Sequence, residues 1–149
     1  MTSSSSSPAE RLLLDSEARA ALLDHAREGA AGTPAEVCGV LVGSRDDPER
    51  VTEIRRVANV AGDPRRAYEL DPAETMATIE AVEDDGDDVV GFYHSHPEGT
   101  ARPSAVDRDR ATWTGYVYLV VGLGPAQPEV RAWRWTGEAF DPLSVAVDD

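Results

Sequence analysis

Three short apolar runs constrain the fold of this chain most strongly. Residues 37–43 (VCGVLVG), 89–95 (VVGFYHS) and 116–122 (YVYLVVG) are rich in β-branched and aromatic side chains. Turn-forming residues bound runs of this kind, and their short length favours strands over helices. The sequence therefore predicts a sheet whose apolar strands lie in the core.

The rest of the chain adds more polar strands and three helices. Further strands are predicted over residues 11–15, 51–60, 129–135 and 138–147, with a charged turn at 45–50. Helices are predicted over 16–29, 71–83 and 104–114. Ser16 is the expected N-cap of the first helix, and the second is expected to turn four side chains inward: Met76, Ile79, Ala81 and Val82. The order contains no regular βαβ repeat, which favours a mixed α+β fold of one sheet with helices packed on it.

One domain accounts for nearly the whole chain. Its 149 residues lie within the roughly 100–200 residues of a typical domain, and 41% of them are hydrophobic, which suffices for one core. Residues 1–9 are Ser-rich and too polar to join that core, so we expect a disordered tail. We therefore predict a single domain over residues 10–149.

The charge balance limits the possible partners. The chain carries 28 acidic and 14 basic residues, a formal net charge of -14, and such a surface repels the phosphates of nucleic acids and anionic lipids. No apolar run approaches the roughly 20 residues of a membrane helix, and the N-terminus lacks the pattern of a signal peptide. The single cysteine, Cys38, excludes an internal disulfide framework. We expect a cytoplasmic protein that binds neither nucleic acid nor membrane.

Two histidines close the second apolar run, in the sequence His94-Ser95-His96-Pro97. Residues two apart on a strand point to the same face and lie about 7 Å apart along the backbone. His94 and His96 can therefore converge on one metal ion. Asp107 follows eleven residues after His96, and two His with one Asp are three ligands that zinc accepts in catalytic sites, with water in the fourth position.

Ser104 and Asp107 also have a structural interpretation. The pattern S-x-x-D is typical of a helix N-cap followed by an acidic first turn, which requires no metal. Both interpretations can hold together, because a cap fixes the start of the helix and so aims its first-turn carboxylate.

A water molecule at such a metal needs a nearby base, and Glu36 is the candidate. It precedes a strand whose remaining residues are apolar. A carboxylate that enters a buried strand must find a partner or have a raised pKa, and either property suits a general base.

These residues together resemble the JAMM motif of the MPN+ metalloproteases, E … H-x-H-P-x6-S-x-x-D. Glu36 is followed by H-S-H-P at 94–97, six residues (EGTARP), and S-A-V-D at 104–107. The segments PAEVCGVLVG and VVGFYHSHP also resemble the short prokaryotic members. The resemblance covers roughly residues 11–135, and no motif position departs from it.

The resemblance implies a fold and a set of roles. The fold is the MPN/JAB-type mixed sheet flanked by helices, in the cytidine-deaminase-like arrangement. His94, His96 and Asp107 would bind one zinc ion per chain, Glu36 would be the general base, and Ser104 would contact the oxyanion.

The resemblance also implies a substrate class. A small, stand-alone member resembles the archaeal desampylases, zinc isopeptidases that remove ubiquitin-like modifiers from target lysines after a C-terminal diglycine. One alternative is a processing peptidase that trims the C-terminal tail of a sulfur-carrier precursor with the same catalytic residues. A second alternative is a non-catalytic MPN scaffold, although such domains typically lack one or more ligands.

Two further features have both a structural and a functional interpretation. Trp133 and Trp135 share a strand face, where core packing is the default and a partner-binding surface the alternative. Arg102, beside the motif, is either a solvated side chain or a group that receives a substrate carboxylate or carbonyl.

The basic residues give a prediction about salt. All fourteen are Arg, with no Lys, and an acidic chain of this kind suits a salt-rich cytosol that screens its self-repulsion. We predict that the melting temperature, followed by circular dichroism, rises between low and molar KCl. Equal melting temperatures in both would show instead that the composition reflects only a high-GC genome.

Overall fold

The computed structural model describes residues 10–148. This part of the chain contains seven strands and three helices. The strands are β1 (Arg11–Asp15), β2 (Cys38–Ser44), β3 (Glu49–Val57), β4 (Asp88–His96), β5 (Val117–Gly122), β6 (Glu129–Trp135) and β7 (Phe140–Asp148). The helices are α1 (Ser16–Ala30), α2 (Pro72–Asp84) and α3 (Ala105–Arg110). The tail predicted over residues 1–9 lies outside the described residues.

The strands form one closed sheet in the order β1-β3-β2-β4-β5-β6-β7, and β7 pairs back onto β1. β1 is parallel to both of its neighbours, and β4 is parallel to β5, whereas the remaining pairs are antiparallel. A parallel pair needs a crossover connection, and α3 lies in the one between β4 and β5. The mixed α+β fold is confirmed, and closure of the sheet is an addition that the individual elements do not predict.

β4 lies between β2 and β5 and is buried on both faces. Tyr93 belongs to one apolar cluster, to which α1 contributes Leu22. Phe92 points the other way into a second cluster, to which α2 contributes Val82. Because the strand has β2 on one side and β5 on the other, the direction of its side chains is fixed from Gly91 to its end.

Helix α1 begins one residue earlier than the sequence predicts. Ser16 was the expected N-cap, but Asp15 occupies that position and Ser16 is already helical. Asp15 makes no side-chain cap bond, because its carboxylate binds the Arg50 guanidinium at 2.7 Å. A tertiary ion pair has therefore replaced the local cap.

Helix α2 is rotated relative to the predicted inward face. Val82 is buried and Ile79 is half-buried, as predicted, but Met76 is 57% exposed and Ala81 is also exposed. Thr75 is buried instead. Residues 75, 79 and 82 follow the helical period, so α2 does bury one face. That face includes Thr75 in place of Met76.

Helix α3 ends earlier than residue 114. After Arg110, the backbone N–H groups of Thr112 and Trp113 donate to the Tyr118 hydroxyl, at 3.2 and 3.0 Å. A phenol from β5 has replaced the carbonyls that would have continued the helix. β3 also begins earlier than predicted, at Glu49, because Glu49 and Arg50 pair with β1.

None of the three helices in the described part of the chain is long and apolar enough to cross a membrane.

Close approach of β4 and β5 gives a prediction about stability. A Cβ added at Gly91 would overlap the carbonyl oxygen of Val117, which is fixed in β5, whereas Gly62 has no heavy atom within 4 Å. Overpacking of this kind typically costs about 1–3 kcal/mol. In denaturant titrations at constant high salt, Gly91→Ala should lose at least that much unfolding free energy. The control Gly62→Ala should stay within about 0.5 kcal/mol of wild type, and equal losses in the two would contradict the proposed crowding.

Candidate metal centre

Two imidazoles meet at the C-terminal end of β4. His94 Nε2 lies 3.2 Å from His96 Nε2, which bears out the prediction that the two side chains share a face. His94 is buried and the His96 side chain is 13% exposed. The strand ends at His96, and the loop at 97–103 follows directly. The two histidines therefore lie beside this loop.

Asp107 reaches the same point from the first turn of α3. Its Oδ2 lies 2.9 Å from His94 Nε2 and 3.2 Å from His96 Nε2. The Ser104 backbone N–H donates to this same oxygen at 2.8 Å, and the Ser104 hydroxyl oxygen accepts from the Asp107 N–H at 3.1 Å. The structural interpretation of S-x-x-D is confirmed, and the same capping box aims the carboxylate at the histidines.

Glu36 arrives from the segment before β2. Its backbone N–H donates to the Pro64 carbonyl at 2.7 Å, and its own carbonyl accepts from the Asn59 amide at 2.9 Å. The next residue, Val37, exchanges bonds with Ser95 of β4. These contacts hold the side chain over the histidines, where it is 6% exposed.

Four of the five predicted site residues therefore form one cluster. The ligand atoms of Glu36, His94, His96 and Asp107 all lie within 4.8 Å of one another. Ser104, the fifth, sits at the start of α3 and touches the cluster through Asp107.

The two carboxylates of the cluster have opposite acidities. Burial raises the pKa of Glu36 to about 8, and the charge of Asp107 adds to this while His96 opposes it. Burial disfavours ionisation of Asp107 as well, but hydrogen bonding with both histidines and the Ser104 N–H holds its pKa well below the usual range. One carboxyl group is thus prepared to hold a proton and the other to remain charged.

The His96 ring has a fixed orientation. Its Nδ1 lies 2.8 Å from the Thr100 carbonyl, and a carbonyl can only accept, so Nδ1 carries the hydrogen. The lone pair of neutral His96 is then on Nε2 and faces the cluster. Support of this kind, from a backbone carbonyl to the outer nitrogen, is typical of metal-binding histidines.

The cluster fits a divalent cation. A tetrahedral ion with ligands at about 2.0–2.1 Å has ligand atoms about 3.3 Å apart, and the three separations here are 3.2, 2.9 and 3.2 Å. Glu36 Oε1 is buried without a hydrogen-bond partner among the described residues. The His-His-Asp-Glu cluster is therefore consistent with a metal site.

Sequence reasoning missed Tyr68 at this site. Its ring stacks on the His94 ring with centroids 4.2 Å apart and an interplanar angle of 17°. Tyr68 lies in the irregular segment between β3 and α2, where no periodicity points to a partner. Ser95 holds Val37, and so the segment of Glu36, from the opposite face of β4. Strand alternation predicts that face for Ser95, so its structural role could have been inferred from the sequence.

Two other polar side chains have structural roles. His25 Nδ1 lies 2.7 Å from the Tyr93 hydroxyl, and burial lowers its pKa to about 4, so it is neutral at physiological pH. Cys38 is buried, its thiol donates weakly to the Val57 carbonyl, and burial raises its pKa to about 12. Neither group belongs to the cluster.

The raised pKa of Glu36 gives a prediction for the metal-free protein. Folding raises this pKa from about 4.5 to about 8, so between these pH values the folded state binds more protons than the unfolded state. Stability must then fall as pH rises through this window. Glu36→Gln is neutral throughout and removes this loss. In chelator at constant salt, the variant should gain on wild type from pH 4.5 to 8 by up to a few kcal/mol, at about 1.4 kcal/mol per pKa unit. Parallel pH profiles of unfolding free energy would rule out a buried, protonated Glu36.

Known proteins resemble this chain in sequence and fold. The family model of prokaryotic homologs of the JAB domain matches residues 15–136. A desampylase from Haloferax volcanii is 57% identical over 141 residues, which cover 93% of this chain and 97% of that protein. A CysO-cysteine peptidase from Mycobacterium tuberculosis is 34% identical over 130 residues, 84% of each chain. The solution structure of a protein from Desulfitobacterium hafniense superposes with a TM-score of 0.82 and 28% identity over 93% of each chain. The chain therefore belongs to the prokaryotic JAB-domain family, the JAMM relatives that its motif indicates.

Proposed function

We propose that this protein is a zinc-dependent isopeptidase that removes ubiquitin-like modifiers from target lysines by hydrolysis after the modifier's C-terminal diglycine. The observation that carries this proposal is the cluster in which Glu36 lies beside His94, His96 and Asp107, with a buried carboxylate oxygen that has no hydrogen-bond partner within residues 10–148. The 57% identity to a desampylase, over nearly the full length of both proteins, supports the substrate class.

His94, His96 and Asp107 are the proposed metal ligands, one ion per chain. Two imidazole nitrogens and one carboxylate suit zinc and leave a coordination position for water. When bound, zinc lowers the pKa of water to about 7 and polarises the scissile carbonyl. The low pKa of Asp107 keeps its carboxylate charged and ready to bind a cation.

Glu36 is the proposed general base and acid. One of its carboxylate oxygens takes a proton from the attacking water, and the same group then delivers that proton to the departing lysine ε-nitrogen. The water oxygen first bonds to the glycine carbonyl carbon, and negative charge develops on the carbonyl oxygen. The C–N bond then breaks as the C=O bond re-forms, which releases the glycine carboxyl group and the protonated lysine amine. Burial raises the pKa of Glu36 in the metal-free protein, and a cation bound beside it would favour the ionised form that accepts the proton.

Ser104 is the proposed donor to the carbonyl oxygen as negative charge develops on it. Its hydroxyl oxygen already accepts from the Asp107 N–H, which leaves the hydroxyl hydrogen available to donate. A single donor of this type is typically worth about 2.7–4 kcal/mol.

Two other functions are weaker alternatives. A peptidase that trims a sulfur-carrier precursor would use the same cluster, and the likeness to a CysO-cysteine peptidase favours retaining this possibility. A non-catalytic scaffold does not explain why the base and the three candidate ligands are all present and assembled. In either enzymatic case the partners are ubiquitin-like proteins, and we propose the cytoplasm as the site of action, as the sequence leads us to expect.

The proposed activity predicts a specific cleavage pattern. In molar salt, the zinc-loaded protein should release a ubiquitin-like modifier from a lysine ε-amine, and a chelator should abolish the release. The same modifier with a linear C-terminal extension, tested in parallel, distinguishes the alternatives. Cleavage of the linear extension alone would favour precursor processing, and cleavage of neither substrate by protein with bound zinc would refute the substrate class.

Matched variants test the role of Glu36 in the same assay. Glu36→Gln should lower kcat by about 10²–10⁴-fold, the usual contribution of a general acid–base, while the bound zinc stays at one per chain. The control Glu69→Gln removes an exposed carboxylate from the nearby segment and should keep both zinc and activity. A Glu36→Gln protein with the wild-type rate would exclude Glu36 as the base.

A further inference from the structure

The surface beside the metal centre differs in charge from the rest of the molecule. Residues 99–128 contain three arginines and two aspartates, in a chain whose formal net charge is -14. Asp107 is turned into the cluster and buried, so the surface of this stretch has three guanidinium groups against the single carboxylate of Asp109. The carboxylates of Glu98 and Glu129, which flank this stretch, pair with Arg65 and Arg131, so the surface next to Ser104 carries an excess of positive groups.

These arginines are also available for contacts. Many arginines here bind carboxylates, as Arg134 does with Glu49 and Arg50 with Asp15. Among the described residues, Arg102, Arg108 and Arg110 have no carboxylate within ion-pair distance. All three side chains belong to exposed residues. A guanidinium without an internal partner can form bidentate bonds with a carboxylate of another molecule.

A groove of about 260 Å³ joins two of these arginines to an aromatic side chain. It is lined by Arg102, Pro103 and Arg108 together with Trp133, Ala139 and Phe140. Trp133 is half-buried, and its indole N–H donates to the Ala101 carbonyl at 3.2 Å. This bond fixes the ring against the loop that leads into Ser104, so the groove is preformed. Trp133 thus does not complete the core as Trp135 does, since Trp135 belongs to the second apolar cluster.

We propose that the arginine–tryptophan surface, formed by Arg102, Arg108 and Trp133, binds an acidic face of the ubiquitin-like modifier while the modifier's tail enters the metal centre. The inference rests on the proposed function. The two guanidinium groups bind carboxylates, and the indole packs on an adjacent apolar side chain. Trp and Arg are the residue types most often central to protein interfaces.

The position of the surface favours the modifier over the target protein. Pro103 lines the groove and is adjacent to Ser104, the proposed donor to the scissile carbonyl. That carbonyl belongs to the modifier in every substrate, whereas the target changes. A surface at this point contributes to the binding of all substrates only if it holds the modifier. It also offsets the repulsion between an acidic modifier and the net negative charge of the enzyme.

A pair of charge reversals tests this proposal. The substrate is an acidic haloarchaeal ubiquitin-like modifier whose C-terminal glycine is joined to a small fluorescent amine, so that no target protein is present. R102E/R108E should raise KM at least tenfold and change kcat less than twofold. R11E/R27E alters net charge equally at exposed arginines that also lack a carboxylate partner among residues 10–148, and it should leave both constants within twofold. The tenfold effect should persist in molar KCl, where the Debye length is about 3 Å and only direct contacts survive.

Several results would overturn the proposal. These are equal KM values for the two double variants, an effect of R102E/R108E that vanishes in molar salt, or an effect seen only when a full target protein replaces the small amine. Binding of the free modifier to the zinc-loaded protein, measured by calorimetry, separates this failure from that of the proposed function. Binding that R102E/R108E weakens, without cleavage by wild type, would preserve the surface and refute the isopeptidase. Cleavage by wild type that R102E/R108E leaves unchanged would preserve the isopeptidase and refute the surface.

Discussion

One carboxylate oxygen organises the metal centre. Asp107 Oδ2 lies within hydrogen-bond distance of His94 Nε2, His96 Nε2 and the Ser104 backbone N–H at once. The first two contacts belong to the cluster and the third to the cap of α3, so the start of a helix and the geometry of the site depend on the same atom. The histidines meet it because β4 is buried on both faces and cannot rotate. A single side chain thereby fixes the start of α3 against the end of β4.

The same arrangement separates two carboxyl groups that lie only a few ångströms apart. Asp107 lies against both histidines, accepts from the Ser104 N–H and stays ionised, whereas the Oε1 of buried Glu36 has no partner among the described residues. The surroundings, rather than the residue type, assign one group to cation binding and the other to proton transfer. Backbone bonds to Pro64 and Asn59, outside the motif, keep Glu36 in this position.

Much of this could be predicted from the sequence, and the exceptions have a common cause. The apolar runs predict the central strands because burial on both faces leaves a strong pattern. His94, His96 and Asp107 could be placed together because strand alternation and helix capping are local rules. Asp15 replaced Ser16 as the N-cap because it pairs with distant Arg50, and α3 stopped early because Tyr118 captured two backbone N–H groups. Tyr68 reaches His94 from an irregular segment. In each case a side chain from another element decided the outcome, and the pattern within one element contains no information about it.

Closure of the sheet also sets an order for folding. β1 has no neighbours except β3 and β7, and Arg11 of β1 pairs with Ser144 of β7. β4, which carries both histidines of the cluster, and its neighbours β2 and β5 pair through shorter connections and can associate before β7 exists. On a ribosome, β7 emerges only after the other six strands, so one side of β1 stays open as an unpaired edge until β7 has emerged. Contacts of such long sequence separation form slowly, and open strand edges are where nascent chains aggregate. The step that seals this sheet is therefore the one at which the newly made chain is most exposed to misassembly.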